Sequence, residues 1–294
     1  MNKKRVLILG ATGMLGSAIY DVLKDKYDLA LTVRNKEKIG LLEKAYGGTQ
    51  DHDVYEFDAD GVYNNFLEKK GYPGEYISGF LDKVGDVDFV INSIGVTIPF
   101  SMENPAMTFF INGALPHVLT NIFQDRLIHI TTDCVYNGKE GFPYDENSPK
   151  TPVDIYGLTK SLGEPENCLT IRTSIIGKEL ESFTGLLEWF LHQPNKEING
   201  FAKHYWNGIT TKQFGKICDE IMSNREKYPK SGIYHVFSTT VSKYEMLQKF
   251  KEKYDLDVKI NEEKENKLNR VLSTVKELNS ELSIPSFSEM VDEL

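Results

Sequence analysis

Cysteine is scarce in this chain: Cys134, Cys168 and Cys218 are the only three in 294 residues, far apart and odd in number. That excludes a disulfide framework and offers no zinc spacing, so reduced thiols, mostly in the core, are expected. No stretch of ~18 apolar residues occurs, which argues against a membrane-spanning helix. An excess of basic residues is also missing, with 34 Lys and Arg against 43 Asp and Glu and a net charge of −9. Such a field repels the phosphates of nucleic acid and anionic lipid, so neither nucleic acid nor a membrane is expected as a partner. Met1-Asn2-Lys3-Lys4-Arg5 has the charge of a signal-peptide start, but the apolar run behind it ends at Gly10 and is too short. A cytoplasmic location is the expectation. Internal repeats and low-complexity tracts are absent, and a composition 40% hydrophobic and 26% charged excludes disorder as the main state.

What is present is an alternation. Residues 6–9 form a short apolar run bounded by glycine, as in a strand buried on both faces. Leu15, Ala18, Ile19, Val22 and Leu23 then follow at helical spacing. Further strands are expected at 29–33, 54–57, 89–92 and 127–130, with a charged helix at 35–45 and another at 106–123. Strands and helices in this order predict a doubly wound parallel sheet of the Rossmann type. Beyond Arg172 the pattern loosens, with helices expected at 185–192 and 243–254 and a strand at 232–237. Residues 262–276 are rich in charge and read as a solvated surface. The expected organisation is a nucleotide-binding domain at 1–172, completed by part of 205–240. Residues 173–294 are expected to form a smaller mixed α/β substrate-binding region.

Gly10-Ala11-Thr12-Gly13-Met14-Leu15-Gly16 joins the first strand to the first helix. Glycines there permit a tight turn and close approach of a pyrophosphate, while the positive end of the helix favours phosphate. This predicts dinucleotide binding through Gly10, Thr12, Gly13, Met14, Leu15 and Gly16. The second strand runs into Arg34-Asn35-Lys36 with no acid before Glu37. An acid would repel a 2′-phosphate and an arginine attracts one, so NADPH is preferred over NADH.

Tyr156 and Lys160 stand four residues apart, on one face of a helix. A nearby cation stabilises a phenolate and lowers a tyrosine pKa from ~10 toward the working range. The strand before them ends in Thr131-Thr132-Asp133, and strand ends of this kind of sheet face the ligand crevice. Thr132 is thereby a candidate to polarise the carbonyl oxygen that Tyr156 protonates.

The Gly-x-x-Gly-x-x-Gly spacing resembles the short-chain dehydrogenase/reductase superfamily, in its extended, sugar-nucleotide branch. Within it, Thr131-Thr-Asp-Cys-Val-Tyr-Asn-Gly138, the loop from Pro143 to Pro149, Leu169-Thr-Ile-Arg-Thr-Ser174 and Arg270-Val-Leu-Ser273 look like dTDP-4-dehydrorhamnose reductase. The resemblance implies hydride transfer from a reduced nicotinamide to C4 of a nucleotide-linked 4-keto-6-deoxy sugar, for polysaccharide assembly. Thr132, Tyr156 and Lys160 correspond to the catalytic positions, and Asp133 and Ile175 to substrate contacts. Asp58 and Ala59 match the adenine contact and Ser93, Ile94 and Gly95 the turn against the cofactor ribose. Asn112 matches a residue that supports the lysine through water. Relatives are often homodimers.

Three departures are visible. Ile175 replaces a tryptophan common in the family, and residues 63–86 run longer than the family needs. Cys134 stands where related 4,6-dehydratases have glutamate, which argues against that chemistry. The alternatives are an epimerase/reductase like GDP-fucose synthase, using Cys134, although neither His192 nor His204 aligns with the histidine partner that enzyme needs, and a non-catalytic NADP-binding regulatory subunit. His129 and the pairs Trp189-Phe190 and Tyr205-Trp206 read as packing. Glu43, Asp51 and Asp53 suggest no metal site.

Overall fold

A computed structural model describes residues 3–69 and 73–294. Met1 and Asn2, the start of the basic N-terminal run, lie outside them, as do residues 70–72 within the long stretch 63–86. Strand β1 (Arg5–Leu9) sits near the middle of a seven-stranded sheet. It is flanked by β2 (Asp28–Val33) and β3 (Asp53–Glu56) on one side. On the other lie β4 (Phe89–Asn92), β5 (Leu127–Thr132), β6 (Leu169–Thr173) and the edge strand β7 (Gly232–His235). All neighbours pair in parallel. This is the doubly wound sheet expected from the alternation, with an order that reverses between β1 and β4.

Both faces are covered, which is why the central strands read as unbroken apolar runs. Val6 and Ile8 pack into one core, with Ile19 of helix α1 (Met14–Leu23) and Phe214 of a later helix. Leu7 and Leu9 point to the opposite core with Leu119 and Phe80. A third core holds Ile176, Leu187, Phe190, Trp206, Phe250 and Phe287, all from the C-terminal half. Among the described residues no helix is long and apolar enough to cross a membrane.

Two readings need correction. The helix expected at 106–123 is Pro105–Thr108 and Leu115–Phe123 with a π-helical turn, Phe109–Ala114, between them. Pro116 has no N–H to give the Asn112 carbonyl, so the helix cannot keep its ordinary register there. Residues 262–276 are not a solvated face throughout. Lys259–Glu263 pairs with Glu197–Phe201, Leu272 is buried, and Lys276 Nζ donates to Ile233 O at 2.6 Å. Apolar residues at every few positions anchor the segment despite its charge.

Candidate active site

The turn after β1 is built as the glycine pattern requires. Gly10 has φ +81°, a conformation that disfavours any side chain. A Cβ on Gly16 would lie 2.1 Å from Gly10 O, so the helix can approach the turn only with glycine there. Gly13 differs, because a Cβ at that position would meet nothing closer than 3.4 Å. The protein's own packing leaves that position free, and it faces outward as the N-cap of α1 with no side-chain cap. The first turn of α1 carries no acid. Uncapped N–H groups behind an exposed glycine fit a bound pyrophosphate. Thr12 and Met14 are half-buried beside it and Leu15 is buried.

The end of β4 closes this cradle. Ser93 Oγ donates to Leu9 O at 2.5 Å, tying the Ser93-Ile94-Gly95 turn to the glycine loop. A Cβ on Gly95 would stand 3.7 Å from Lys160 Nζ, so the turn runs directly past the lysine. Asn112 clamps the same turn: it accepts from Val96 N at 2.8 Å and donates to Val96 O at 2.9 Å. It also donates to Thr159 Oγ1 at 3.3 Å, next to the lysine in the chain. At the far end, exposed Arg34 pairs with Asp58 at 3.6 Å, bringing the two expected adenosine contacts together, with Ala59 beside them.

Tyr156 and Lys160 lie on helix α2 (Ile155–Leu162), whose N-cap Asp154 accepts from Gly157 N at 2.7 Å. A Cβ on Gly157 would lie 2.3 Å from Cys134 O, so this glycine lets the helix press against the Asp133–Val135 turn that follows β5. Lys160 is buried and its Nζ donates to Ile130 O at 3.0 Å. Burial lowers its pKa to about 8, with Glu164 raising it in part. The Tyr156 phenol is pushed up by burial, with Cys134 adding to the rise and the nearby Thr132 hydroxyl opposing it. That corrects the expectation of a phenol lowered by its lysine neighbour. Burial is the largest influence on the phenol.

Thr132 Oγ1 donates to Asp133 Oδ1 at 3.1 Å and accepts from Cys134 N at 3.2 Å. Asp133 is buried, and burial raises its carboxyl against the opposing fields of Arg270 and Lys243. The Cys134 thiol accepts from the Arg270 guanidinium at 3.3 Å. Burial and then Asp133 push that thiol to about 12. Lys243, first residue of the helix Lys243–Lys253, lies over the Trp206 ring at 5.6 Å and its amine falls to about 8 through burial. Neither Lys243 nor Arg270 forms an ion pair among the described residues. Lys243 drew no attention in the sequence, where a lysine opening a charged helix gives no signal; Arg270 stood out only within a family-like run.

Other candidates fall elsewhere. Ile175 is half-buried against the core beside α1. His192 Nδ1 is engaged by Glu188 O at 2.9 Å and its ring stacks on Phe183. His204 stacks on Phe201. His129 is fully buried between Asn92 and Gly163 O, a core histidine. Phe190 and Trp206 are core residues, whereas Trp189 and Tyr205 are exposed. Among the described residues no group of three metal-binding side chains exists.

The family described as "RmlD substrate binding domain" matches residues 74–292. The chain is 29% identical over 185 residues to "Spore coat polysaccharide biosynthesis protein SpsK" of Bacillus subtilis, covering 59% of this chain and 63% of that protein. It thus spans less than two thirds of that relative's length. It is 25% identical to "Methionine adenosyltransferase 2 subunit beta" of Bos taurus, covering 83% of this chain and 70% of that protein. A dTDP-4-dehydrorhamnose reductase from Bacillus anthracis, solved in complex with NADP, superposes with a TM-score of 0.69. It is 19% identical, with 99% of this chain and 98% of that one covered, and it shows a shared fold.

Proposed function

The chain belongs to the RmlD substrate-binding domain family, within the extended short-chain dehydrogenases/reductases, and on that premise we propose that it is a nucleotide-sugar 4-ketoreductase. The substrate is a nucleotide-linked 4-keto-6-deoxyhexose of the kind used in polysaccharide assembly, and the reductant is NADPH in preference to NADH. One observation carries this reading: the helix that bears Tyr156 and Lys160 is pressed against the end of β5, where Lys160 Nζ donates to Ile130 O at 3.0 Å and Gly157 lies against Cys134 O, so that Tyr156 stands beside Thr132.

A bound nicotinamide supplies the hydride. Gly10, Gly13 and Gly16 with the first turn of α1 would hold its pyrophosphate, and the 93–95 turn its ribose. Arg34 would meet a 2′-phosphate, with Asp58 beside it tempering the preference. Tyr156, kept protonated by its raised pKa, is in the state needed to give a proton to the carbonyl oxygen. Lys160 then stabilises the phenolate left behind. Thr132 orients the ketone, and Asp133 bounds its pocket.

Cys134 supports the epimerase/reductase reading poorly, because its thiol is held by Arg270 and raised to about 12. A binding-only subunit has no need of the Tyr156 proton donor. The test follows oxidation of NADPH and NADH against dTDP-, GDP-, UDP- and CDP-linked 4-keto-6-deoxy sugars. Tyr156→Phe is expected to lower kcat at least ~10²-fold while leaving cofactor affinity in place. Turnover surviving that change sinks the mechanism; isotope exchange from solvent into C3 or C5 would favour the epimerase.

A further inference from the structure

The hydroxyl of Thr132 carries one hydrogen, and that hydrogen is directed at Asp133. A hydroxyl has one donor and two acceptor sites. Thr132 Oγ1 donates to Asp133 Oδ1 at 3.1 Å and accepts from Cys134 N at 3.2 Å. While Asp133 is a carboxylate, Thr132 therefore has nothing to donate to a substrate carbonyl. It can polarise a ketone only if that hydrogen is released.

The surroundings of Asp133 make release a matter of its charge. The groups facing it are Cys134 beside it in the chain, Tyr156 on α2, Lys243 at the head of the helix Lys243–Lys253, and Arg270 from the C-terminal segment. Neither Asp133 nor either of the two cations is closed off by an ion pair among the described residues. Burial opposes the carboxylate, and the two cations oppose the neutral acid. Burial and the two cations thus act on the aspartate in opposite senses.

We propose that Asp133 is a positioning residue that acts through Thr132: as a neutral carboxyl it donates to Thr132 Oγ1 and turns the threonine hydrogen toward the ketone, and as a carboxylate it takes that hydrogen back. No bond between heavy atoms changes. One proton passes between solvent and the Asp133 carboxyl, and the Thr132 O–H rotates about its Cβ–Oγ bond. The inference rests on the reductase reading only for the identity of the group that accepts from Thr132; the switch belongs to the free protein.

The test uses the full chain labelled with ¹³C at aspartate carboxyls, with the Asp133 signal assigned by its loss in Asp133→Asn. The expected midpoint lies above the ordinary aspartate value of ~3.9. In Thr132→Val the carboxylate loses its donor, and the midpoint moves up further. An ordinary midpoint in the native protein overturns the proposal, and so does a Thr132→Val midpoint that does not move. No substrate is involved, so this failure is distinct from failure of the reductase reading. Once turnover is measured, Asp133→Asn should shift the alkaline fall of kcat/KM to higher pH, and Asp133→Glu should keep it. A fall in Asp133→Asn that coincides with the native one overturns it equally.

Discussion

Two groups of buried charge stand at the ends of neighbouring strands, and they are built in opposite ways. Arg172 on β6 is fully answered. Its guanidinium meets both oxygens of buried Glu164, at 2.9 and 2.6 Å, the Tyr136 hydroxyl at 2.6 Å and His235 Nε2 at 2.7 Å. His235 must accept there, so its Nδ1–H donates to Ser273 O at 2.7 Å, and the ring is neutral. Glu164 also takes Lys150 at 3.2 Å. Beyond β5, by contrast, Asp133, Lys243 and Arg270 share one enclosure with no ion pair among them. A charge whose partners are all protein is part of the scaffold. A charge with no ion-pair partner is not tied into the scaffold in that way.

The largest effect should come from unbalancing the first group. Arg172→Met leaves Glu164 buried without its partner and is expected to cost about 3–5 kcal/mol, read from the denaturant midpoint. A smaller loss would mean that Glu164 finds another cation, blurring the contrast.

Next comes acid. Burial and Arg172 lower the His235 pKa from 6.5 to about 4, so the unfolded chain binds the proton first as pH falls. Stability is full above 6.5 and is lost as pH drops from 6.5 toward 4, by on the order of 3 kcal/mol from this ring. His235→Gln should flatten that limb in a series of melts; a limb of unchanged size would assign it to other groups.

The smallest effect has the reverse sign. Lys243 is depressed from 10.5 to about 8, so the folded protein releases its proton before the unfolded chain does. Its cost is complete below pH 8 and disappears as pH rises from 8 to 10.5. Lys243→Met should stabilise the protein by about 1 kcal/mol at pH 7, discounted because the side chain is only half-buried, and the gain should vanish by pH 10.5. Loss of stability instead would place Lys243 with the scaffold.

The two groups also differed in how far the sequence disclosed them. The first four strands, the fifth through Ile130 and the glycine turn were legible because burial on both faces and tight backbone approach leave a local mark in residue type. Tyr156, Lys160 and Thr132 were legible by their order along the chain and by resemblance. Lys243 and Arg270 reach Asp133 and Cys134 from more than 100 residues away. No periodicity reports such a contact, and Arg270 lay in a stretch whose charge suggested solvent. The Asn112 turn was missed for a related reason: its apolar spacing is helical, and only Pro116 hints that the register changes.

That π-helical turn has a consequence for how the chain can vary in length. It holds one residue more than the α-helical spacing would use between Pro105 and Phe123. Loss of a single codon there is therefore not a neutral shortening. It would restore the tighter winding and rotate everything after it by about 100°. Leu115, Val118, Leu119 and Phe123 would leave their core, or Asn112 would leave Val96. In this helix, length matters to the placement of Asn112 and of the core residues as much as residue identity does.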